Sequence, residues 1–370
     1  MSALPLDFRH PEPTVVSAYE RCRIVEKNIM RQIDETALES ELKLLNKYLV
    51  DVRILGYLLT FGPTIEAISH VADTTICCED DDAVVKQGNF FDRYLLRTFR
   101  KKEVRTPSMS LDSSRPPFNN IQEMIKEDLI ERPMNHSQAK KSALIRDNFR
   151  CVLSGAVDMF SYLENEEIEA QVHAQSLIVQ ETQCSHIFFQ STDISLSEDA
   201  KVSFKNFSSL TWTIIQHFGY SETQHELSGN SVHSLTNILT FESGLHTLFD
   251  TLKLWLEPTE IPNRYKVGTS VPKLIFELKK LPAFVEFTST DSRLKLPSTE
   301  YLRLHAACCQ VAHMSGAADY LEEMDKDKQE LNYLAPGGGS AGMLVALLHD
   351  ISCLQVSIAR THSSGDWSLS

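Results

Sequence analysis

Three short segments decide how we interpret the fold of this chain: Cys184-Ser185-His186-Ile187, Asn237-Ile238-Leu239-Thr240 and His246-Thr247-Leu248-Phe249-Asp250. The first segment closes an apolar, strand-like run, and the second opens another. The third has helical character, and residues four apart on a helix, such as His246 and Asp250, lie on the same face. The order predicts a strand that ends in a histidine, a strand that starts with an asparagine, and a helix that carries a His–Asp pair.

The residues ahead of these segments extend the pattern. A strand and turn are predicted at Cys151-Val152-Leu153-Ser154-Gly155, where an apolar run ends in a Ser-Gly pair. The combination of Cys-x-x-Ser-Gly, Ser-His-Ile, a following Asn and His-x-x-Phe-Asp resembles a subgroup of the HNH nuclease family. In that family a β-hairpin and a helix fold around one divalent cation. The likeness covers residues 143–267, about a third of the chain.

The resemblance implies an activity and a role for each motif residue. It implies hydrolysis of DNA phosphodiester bonds, with His186 as the general base that activates a water. The family's middle asparagine, which fixes the loop and orients the base, falls on Asn237. His246 and Asp250 would hold the cation. We therefore expect His186, His246 and Asp250 to converge within a few ångströms around an open position.

One departure from the family pattern affects the choice of metal. Many HNH nucleases have an Asp or His ligand immediately before the base, whereas this chain has Ser185. A hydroxyl is a poor substitute for a carboxylate, so the cation would rest on the helical pair, on waters and on substrate phosphate. That ligand set fits Mg²⁺ or Mn²⁺ better than a closed zinc site.

Three further residues are assigned supporting or structural positions. Cys151 has Ser154 where some relatives have a second thiolate, so we expect no structural zinc there. His233 precedes Asn237 by four residues and is the other histidine that we place near the site. Cys184 is expected to be a packed strand residue, because no base partner for a nucleophilic thiol is evident.

Each motif residue also has an ordinary structural explanation when it is taken alone. A single His such as His186 is usually a satisfied interior residue, and a His–Asp pair on a helix usually contributes only a few tenths of a kcal/mol. The alternative hypothesis is therefore a catalytically degenerate HNH module that serves as a nucleic-acid- or protein-binding scaffold. Ser185 and the formal net charge of −14 favour this alternative, because an acidic chain does not attract nucleic acid broadly.

Composition limits the remaining classes. With 42% hydrophobic and 23% charged residues, the 370-residue chain is typical of a soluble globular protein with two or three domains. The most apolar stretch, 342–359, is interrupted by His349 and Asp350, so no membrane span is expected. There is no secretory signal and no Cys-x-x-Cys motif among eight Cys, which favours a reducing intracellular location, nucleus or cytoplasm, over secretion.

The order of patterns predicts an α+β protein with five regions. Apolar residues recur at helical spacing over 15–33 and 38–59, which predicts a helical N-terminal domain with a candidate surface for a protein partner. The central HNH-like module is expected to carry a long helical insert at 190–234. The segment 301–321 resembles the helical tail of multi-domain proteins that carry this module. The predicted regions are a helical domain at 1–105, a linker at 106–120, the HNH-like module at 121–290, a helical region at 291–335, and a flexible joint and tail at 336–370.

Overall fold

The computed structural model describes residues 2–100, 133–188 and 209–331. These residues form helices and three small sheets, so the α+β class predicted from the sequence is confirmed. Three predicted segments lie outside the described residues: the linker at 106–120, the first part of the insert at 190–208, and the joint and tail at 336–370. Within the described ranges, no helix is both long enough and apolar enough to cross a membrane.

The described residues divide into two compact units. The first unit consists of residues 2–60, 68–92 and 314–331. Its main elements are α1 (Pro13–Glu35), α2 (Glu39–Phe61), α3 (Ile65–Ile76) and α4 (Asp81–Tyr94). The first two confirm the predicted N-terminal helical pair, and α1 has its proline at the first position, where a missing N–H is tolerated. Between residues 49 and 59, α2 is buried on all sides, so it forms the centre of this unit.

A buried cluster of charges lies inside the first unit. Lys47 donates a hydrogen bond to Asp51 one helical turn along α2, and its Nζ lies 3.2 Å from Oδ2 of Asp92 on α4. The three side chains are 3%, 0% and 1% exposed. Burial raises the pKa of Asp51 to about 7, with the charge of Asp92 raising it further and Lys47 opposing the rise. Two carboxylates around one ammonium favour retention of a proton on Asp51.

This shift predicts that the stability of the first unit depends on pH through Asp51. Because the folded-state pKa of about 7 exceeds the ordinary value of 3.8, the folded state keeps a proton that the unfolded state has released. The free energy of unfolding therefore falls as the pH rises from 3.8 to about 7 and then levels off. Asp51→Asn removes this titration, so the variant should gain stability relative to wild type between about pH 5 and pH 8.

Urea unfolding at several pH values measures the effect of Asp51→Asn. The matched control is Asp73→Asn, because Asp73 is an exposed residue of the neighbouring helix α3. The control should follow the pH dependence of wild type. An identical pH dependence in Asp51→Asn and wild type would contradict the assignment of the proton to Asp51.

Within the described ranges, the second unit consists of residues 61–67, 93–100, 133–188 and 209–313. It begins with the following elements: α5 (His136–Arg146), β1 (Val157–Asp158), α6 (Met159–Glu164), α7 (Glu166–Gln175), β2 (Val179–Gln180) and β3 (Thr182–His186). It continues with α8 (helical over 209–217), α9 (Thr223–Glu226), β4 (Ile238–Glu242), α10 (Ser243–Asp250), β5 (Leu254–Pro258), β6 (Arg264–Thr269), β7 (Phe284–Glu286) and α11 (Thr299–Ser315). The chain then enters the first unit again as α12 (Ala317–Leu331).

Three small sheets organise the second unit. β1 pairs with β2 in parallel, and β5, β6 and β7 form an antiparallel sheet in that order. β5 and β6, which are consecutive in the chain, therefore form a hairpin. The pair that matters for the site is β3 with β4, which is antiparallel, with Thr182 opposite Glu242 and His186 opposite Ile238. Because α10 follows β4 without a loop, the predicted order of strand, strand and helix is present.

A buried arginine connects α5 to the start of β4. Arg146, the last residue of α5, is fully buried. Its guanidinium donates two hydrogen bonds, of 2.7 and 2.8 Å, to the carboxylate of Asp147. Its guanidinium also donates to the carbonyl oxygens of Leu235 at 2.9 Å and Ile238 at 3.0 Å. A third carbonyl, that of Lys295, lies 3.3 Å away. The planar fork of Arg suits this geometry, because its donors point in several fixed directions.

We predict that Arg146→Met destabilises the second unit by about 3–5 kcal/mol, since it leaves a buried carboxylate and several carbonyls without a donor. The measurement is the urea midpoint followed by circular dichroism. The control is Arg293→Met, because Arg293 is 57% exposed in its ion pair with Asp291 and should barely move the midpoint. Equal midpoints for the two variants would show that Arg146 does not hold this part of the fold.

Candidate functional site

The two faces of the β3–β4 pair are covered by different helices. Side chains alternate along a strand, so Cys184 and His186 lie on one face of β3 and Ser185 lies on the other. The first face packs on α5, because Cys184 and Ile238 belong to the same buried apolar cluster as Ala139 of that helix. On the second face are residues of β4 that pack on α10. There the ring of Phe241 lies 5.2 Å from that of Phe249.

His186 lies among other imidazoles on the α5 side. Its Nε2 is 3.1 Å from Nδ1 of His233, and its ring centroid is 5.6 Å from that of His136. His186 is 7% exposed and His233 is 8% exposed. The expectation that His233 lies near His186 therefore agrees with the geometry. A hydrogen bond from a neighbouring residue fixes the ring plane and the tautomer of an imidazole. A histidine that acts as a general base requires both to be fixed.

The side chain of Asn237 hydrogen-bonds to the backbone next to each histidine of this pair. Its Oδ1 accepts a hydrogen bond from the amide of Phe188 at 2.8 Å, and its Nδ2 donates to the carbonyl oxygens of Phe188 at 2.9 Å and Val232 at 2.8 Å. The side chain is fully buried. Phe188 lies two residues after His186, and Val232 immediately precedes His233. The amide of Asn237 thus fixes the two backbone segments that carry the histidines, which is the loop-fixing arrangement that the HNH resemblance implies.

His246 and Asp250 form the expected pair on α10. The distance between Nε2 of His246 and Oδ2 of Asp250 is 3.3 Å, and the residues are 6% and 7% exposed. The helix is braced by α11, since His305 stacks on Phe249 with centroids 3.9 Å apart. Burial lowers the pKa of His305 to about 3, so this imidazole is neutral and packs as an aromatic ring.

The structure groups the predicted residues in two sets rather than one. Across the described part of the chain, the one group of three or more His, Cys, Asp or Glu ligand atoms lying within 4.8 Å of one another is that of His136, Cys184 and His186. The expected convergence of His186 with the His246–Asp250 pair is therefore not present. The reason is strand alternation, which directs His186 toward α5 while α10 packs on the opposite face. The catalytic roles of these residues stay predictions.

Ser185 and Cys151 have separate surroundings. Ser185 is fully buried on the α10 side, and its hydroxyl has no hydrogen-bond partner among the described residues. Cys151 is buried in a turn that its own amide closes by donating to the carbonyl of Ala156 at 2.8 Å. Ser154, where a second thiolate would stand, donates instead to Glu242 at 2.8 Å. The turn is thus fastened by hydrogen bonds to the end of β4.

Sequence reasoning missed two residues of the α5-side group. The prediction of Cys184 as a packed strand residue overlooks that its position two residues before His186 places both side chains on one face of the strand. That spacing was an available signal. His136 gives no comparable signal, because it is brought to the strand only by the packing of α5, in which it is the first residue. Its recruitment depends on tertiary structure.

Comparisons with known proteins return no relatives. The chain matches no family model, no curated protein and no solved structure. The likeness to HNH nucleases therefore remains a resemblance of motifs within residues 143–267. What the chain does is inferred from its own residues and their geometry.

We predict that Asn237→Ala lowers the free energy of unfolding by about 3 kcal/mol, because it removes three buried hydrogen bonds worth about 1 kcal/mol each. The measurement is urea unfolding at neutral pH. Asn230→Ala is the matched control, since Asn230 is exposed seven residues earlier in the chain and should behave as wild type. If Asn237→Ala loses no more free energy of unfolding than the control does, the buried hydrogen bonds of Asn237 do not stabilise the fold.

Proposed function

We propose that this protein is a metal-dependent endonuclease of the HNH type that hydrolyses DNA phosphodiester bonds. The observation that carries the proposal is the antiparallel β3–β4 pair followed directly by α10. His186 ends the first strand, Asn237 immediately precedes the second, and the His246–Asp250 pair lies on the helix. This combination of residue types and elements is the one that the HNH resemblance implies.

The donors on the α10 side fit a hard divalent cation. Asp250 offers a carboxylate and His246 an imidazole on the same helical face. Ser185 is buried on the same side of the strand pair, and its hydroxyl lacks a hydrogen-bond partner among the described residues. Carboxylate and hydroxyl oxygens, completed by water and substrate phosphate, suit Mg²⁺ or Mn²⁺. Such a cation, when bound, supplies positive charge that stabilises the phosphoryl oxygens and the leaving oxygen.

His186 serves as the general base in this proposal. Because its side chain and the α10 pair lie on opposite faces of the strand pair, the proposal requires the scissile phosphate to bind at the strand end, between them. It accepts a proton from water, and the resulting hydroxide attacks phosphorus while the bond to the leaving oxygen breaks and that oxygen takes up a proton. Neutral imidazole suits the first step, because its ordinary pKa lies near working pH. Two contacts hold the ring for this task. His233 bonds to Nε2, and Asn237 fixes the backbone just beyond the strand end.

A second function is favoured by a specific observation. His186 shares its group with His136 and Cys184 rather than with the α10 pair, and it is only 7% exposed. This geometry suits a degenerate HNH module that binds nucleic acid or protein without cutting. The N-terminal helices are the candidate surface for a protein partner, since α1 exposes the apolar side chains of Ile24 and Met30.

Nicking of supercoiled plasmid with Mg²⁺ or Mn²⁺ separates the two functions. We expect wild type to nick, and we expect His186→Ala to slow nicking by about 10²–10⁴-fold, the usual contribution of a general base. Asp250→Ala should raise the metal concentration needed for half-maximal rate. The control is His225→Ala, because His225 is an exposed histidine of the same unit and should retain the wild-type rate.

Two outcomes would reject the nuclease proposal. One is the absence of metal-dependent nicking by a folded wild-type protein, and the other is an unchanged rate in His186→Ala. In either case, fluorescence anisotropy with labelled duplex DNA tests the scaffold function. Binding that survives in His186→Ala would support a non-catalytic DNA-binding module.

A further inference from the structure

A second cluster of potential metal ligands lies on the face of β3 opposite α10. One ligand atom from each of His136, Cys184 and His186 lies within 4.8 Å of the other two. Cys184 and His186 share a strand face by alternation, and His136 reaches them from the first turn of α5. Cys184 is 4% exposed and His186 is 7% exposed, while His136 is the most accessible of the three. A cation could therefore enter past the His136 ring.

The donor set selects a class of metal. One thiolate and two imidazoles suit Zn²⁺ and related borderline ions, whereas Mg²⁺ and Mn²⁺ prefer oxygen. Zinc binds imidazole nitrogen at about 2.0 Å and thiolate sulfur at about 2.3 Å, which places tetrahedral ligand atoms about 3.5 Å apart. The limit of 4.8 Å on the separations of the three ligand atoms exceeds that spacing by about 1 Å, so a small closure is enough to reach it. Rotation of the His136 side chain at the helix start can supply such a movement.

We propose that His136, Cys184 and His186 form a transition-metal site of the zinc class, separate from the cation site on α10. Water completes the coordination at the accessible side. His233, whose Nδ1 lies 3.1 Å from Nε2 of His186, acts on that ring from outside the coordination sphere. Such outer partners commonly orient a ligating imidazole. The site joins α5 to β3 and is independent of Cys151.

This site also implies regulation, a consequence that rests on the proposed nuclease function. The nitrogen of His186 that coordinates a metal cannot accept a proton from water at the same time. Zinc bound to His186 therefore prevents this residue from acting as the general base, while Mg²⁺ bound at α10 has no such effect. Zinc at this site then inhibits the enzyme by occupying the side chain of His186.

The binding proposal is tested with Co²⁺ alone on the purified full chain under reducing conditions. We expect one Co²⁺ per chain with intense visible bands of tetrahedral geometry and a near-ultraviolet thiolate band. Cys184→Ser should abolish the thiolate band, and His136→Ala should weaken binding by about 100-fold or more. Two controls are matched: Cys151→Ser removes another buried thiol of the same unit, and His246→Ala removes the imidazole on α10. Both should keep the band.

Each result of the Co²⁺ experiment either supports the proposed site or overturns it. No thiolate band in wild type, a band that survives in Cys184→Ser, or a band lost in His246→Ala would each overturn the site. His136→Ala keeps the test valid if Cys184→Ser fails to fold, because His136 is the least buried ligand. Urea midpoints of all variants identify any that have unfolded.

Regulation is tested separately by nicking in Mg²⁺ with increasing Zn²⁺. We expect the Zn²⁺ concentration for half-inhibition to rise by at least about 10-fold in His136→Ala, each protein being compared with its own zinc-free rate. Equal sensitivity in wild type and His136→Ala would reject regulation through this site. If neither wild type nor the variant nicks DNA, the nuclease proposal is rejected. The Co²⁺ experiment tests the metal site independently of that result.

Discussion

The candidate site depends on one buried cation, the guanidinium of Arg146. A charged group without solvent is stable only if its donors are all engaged, and here a bidentate carboxylate and several carbonyls engage them. Two of those carbonyls, from Leu235 and Ile238, flank the residue that fastens both histidine segments, Asn237. The helix that carries His136 is thereby fixed against the strand pair. The spacing between α5 and β3 is a consequence of this contact.

Local patterns account for the part of the fold that the sequence predicted. The helical pair α1 and α2 and the order β3, β4, α10 follow from periodicities within each segment, which need no knowledge of neighbours. Asn237 hydrogen-bonds to Phe188 and Val232, and its role in an HNH site stays a prediction. The carbonyl partners of Arg146 and the position of His136 beside β3 could not be predicted, because both depend on segments far apart in the chain.

The expected convergence of His186 with the α10 pair, by contrast, conflicts with the simple geometry of a strand. The side chains of Ser185 and His186 are consecutive on a strand, so they must point to opposite faces. If α10 covers the Ser185 face, as the contact of Phe241 with Phe249 indicates, the imidazole of His186 turns toward α5. A motif read as a linear series of letters conceals this alternation. The register of a strand decides which letters can meet.

The two faces of the β3–β4 pair consequently present donors of different chemical hardness. The α10 face offers a carboxylate, an imidazole and a hydroxyl, whereas the α5 face offers a thiolate and two imidazoles. Affinity alone would not keep metals apart, because zinc binds most nitrogen and oxygen donors more tightly than magnesium does. The thiol of Cys184 adds a soft donor on the α5 face, which favours zinc at that face. His186 is the side chain through which an ion on the α5 face would affect the chemistry proposed for the strand end.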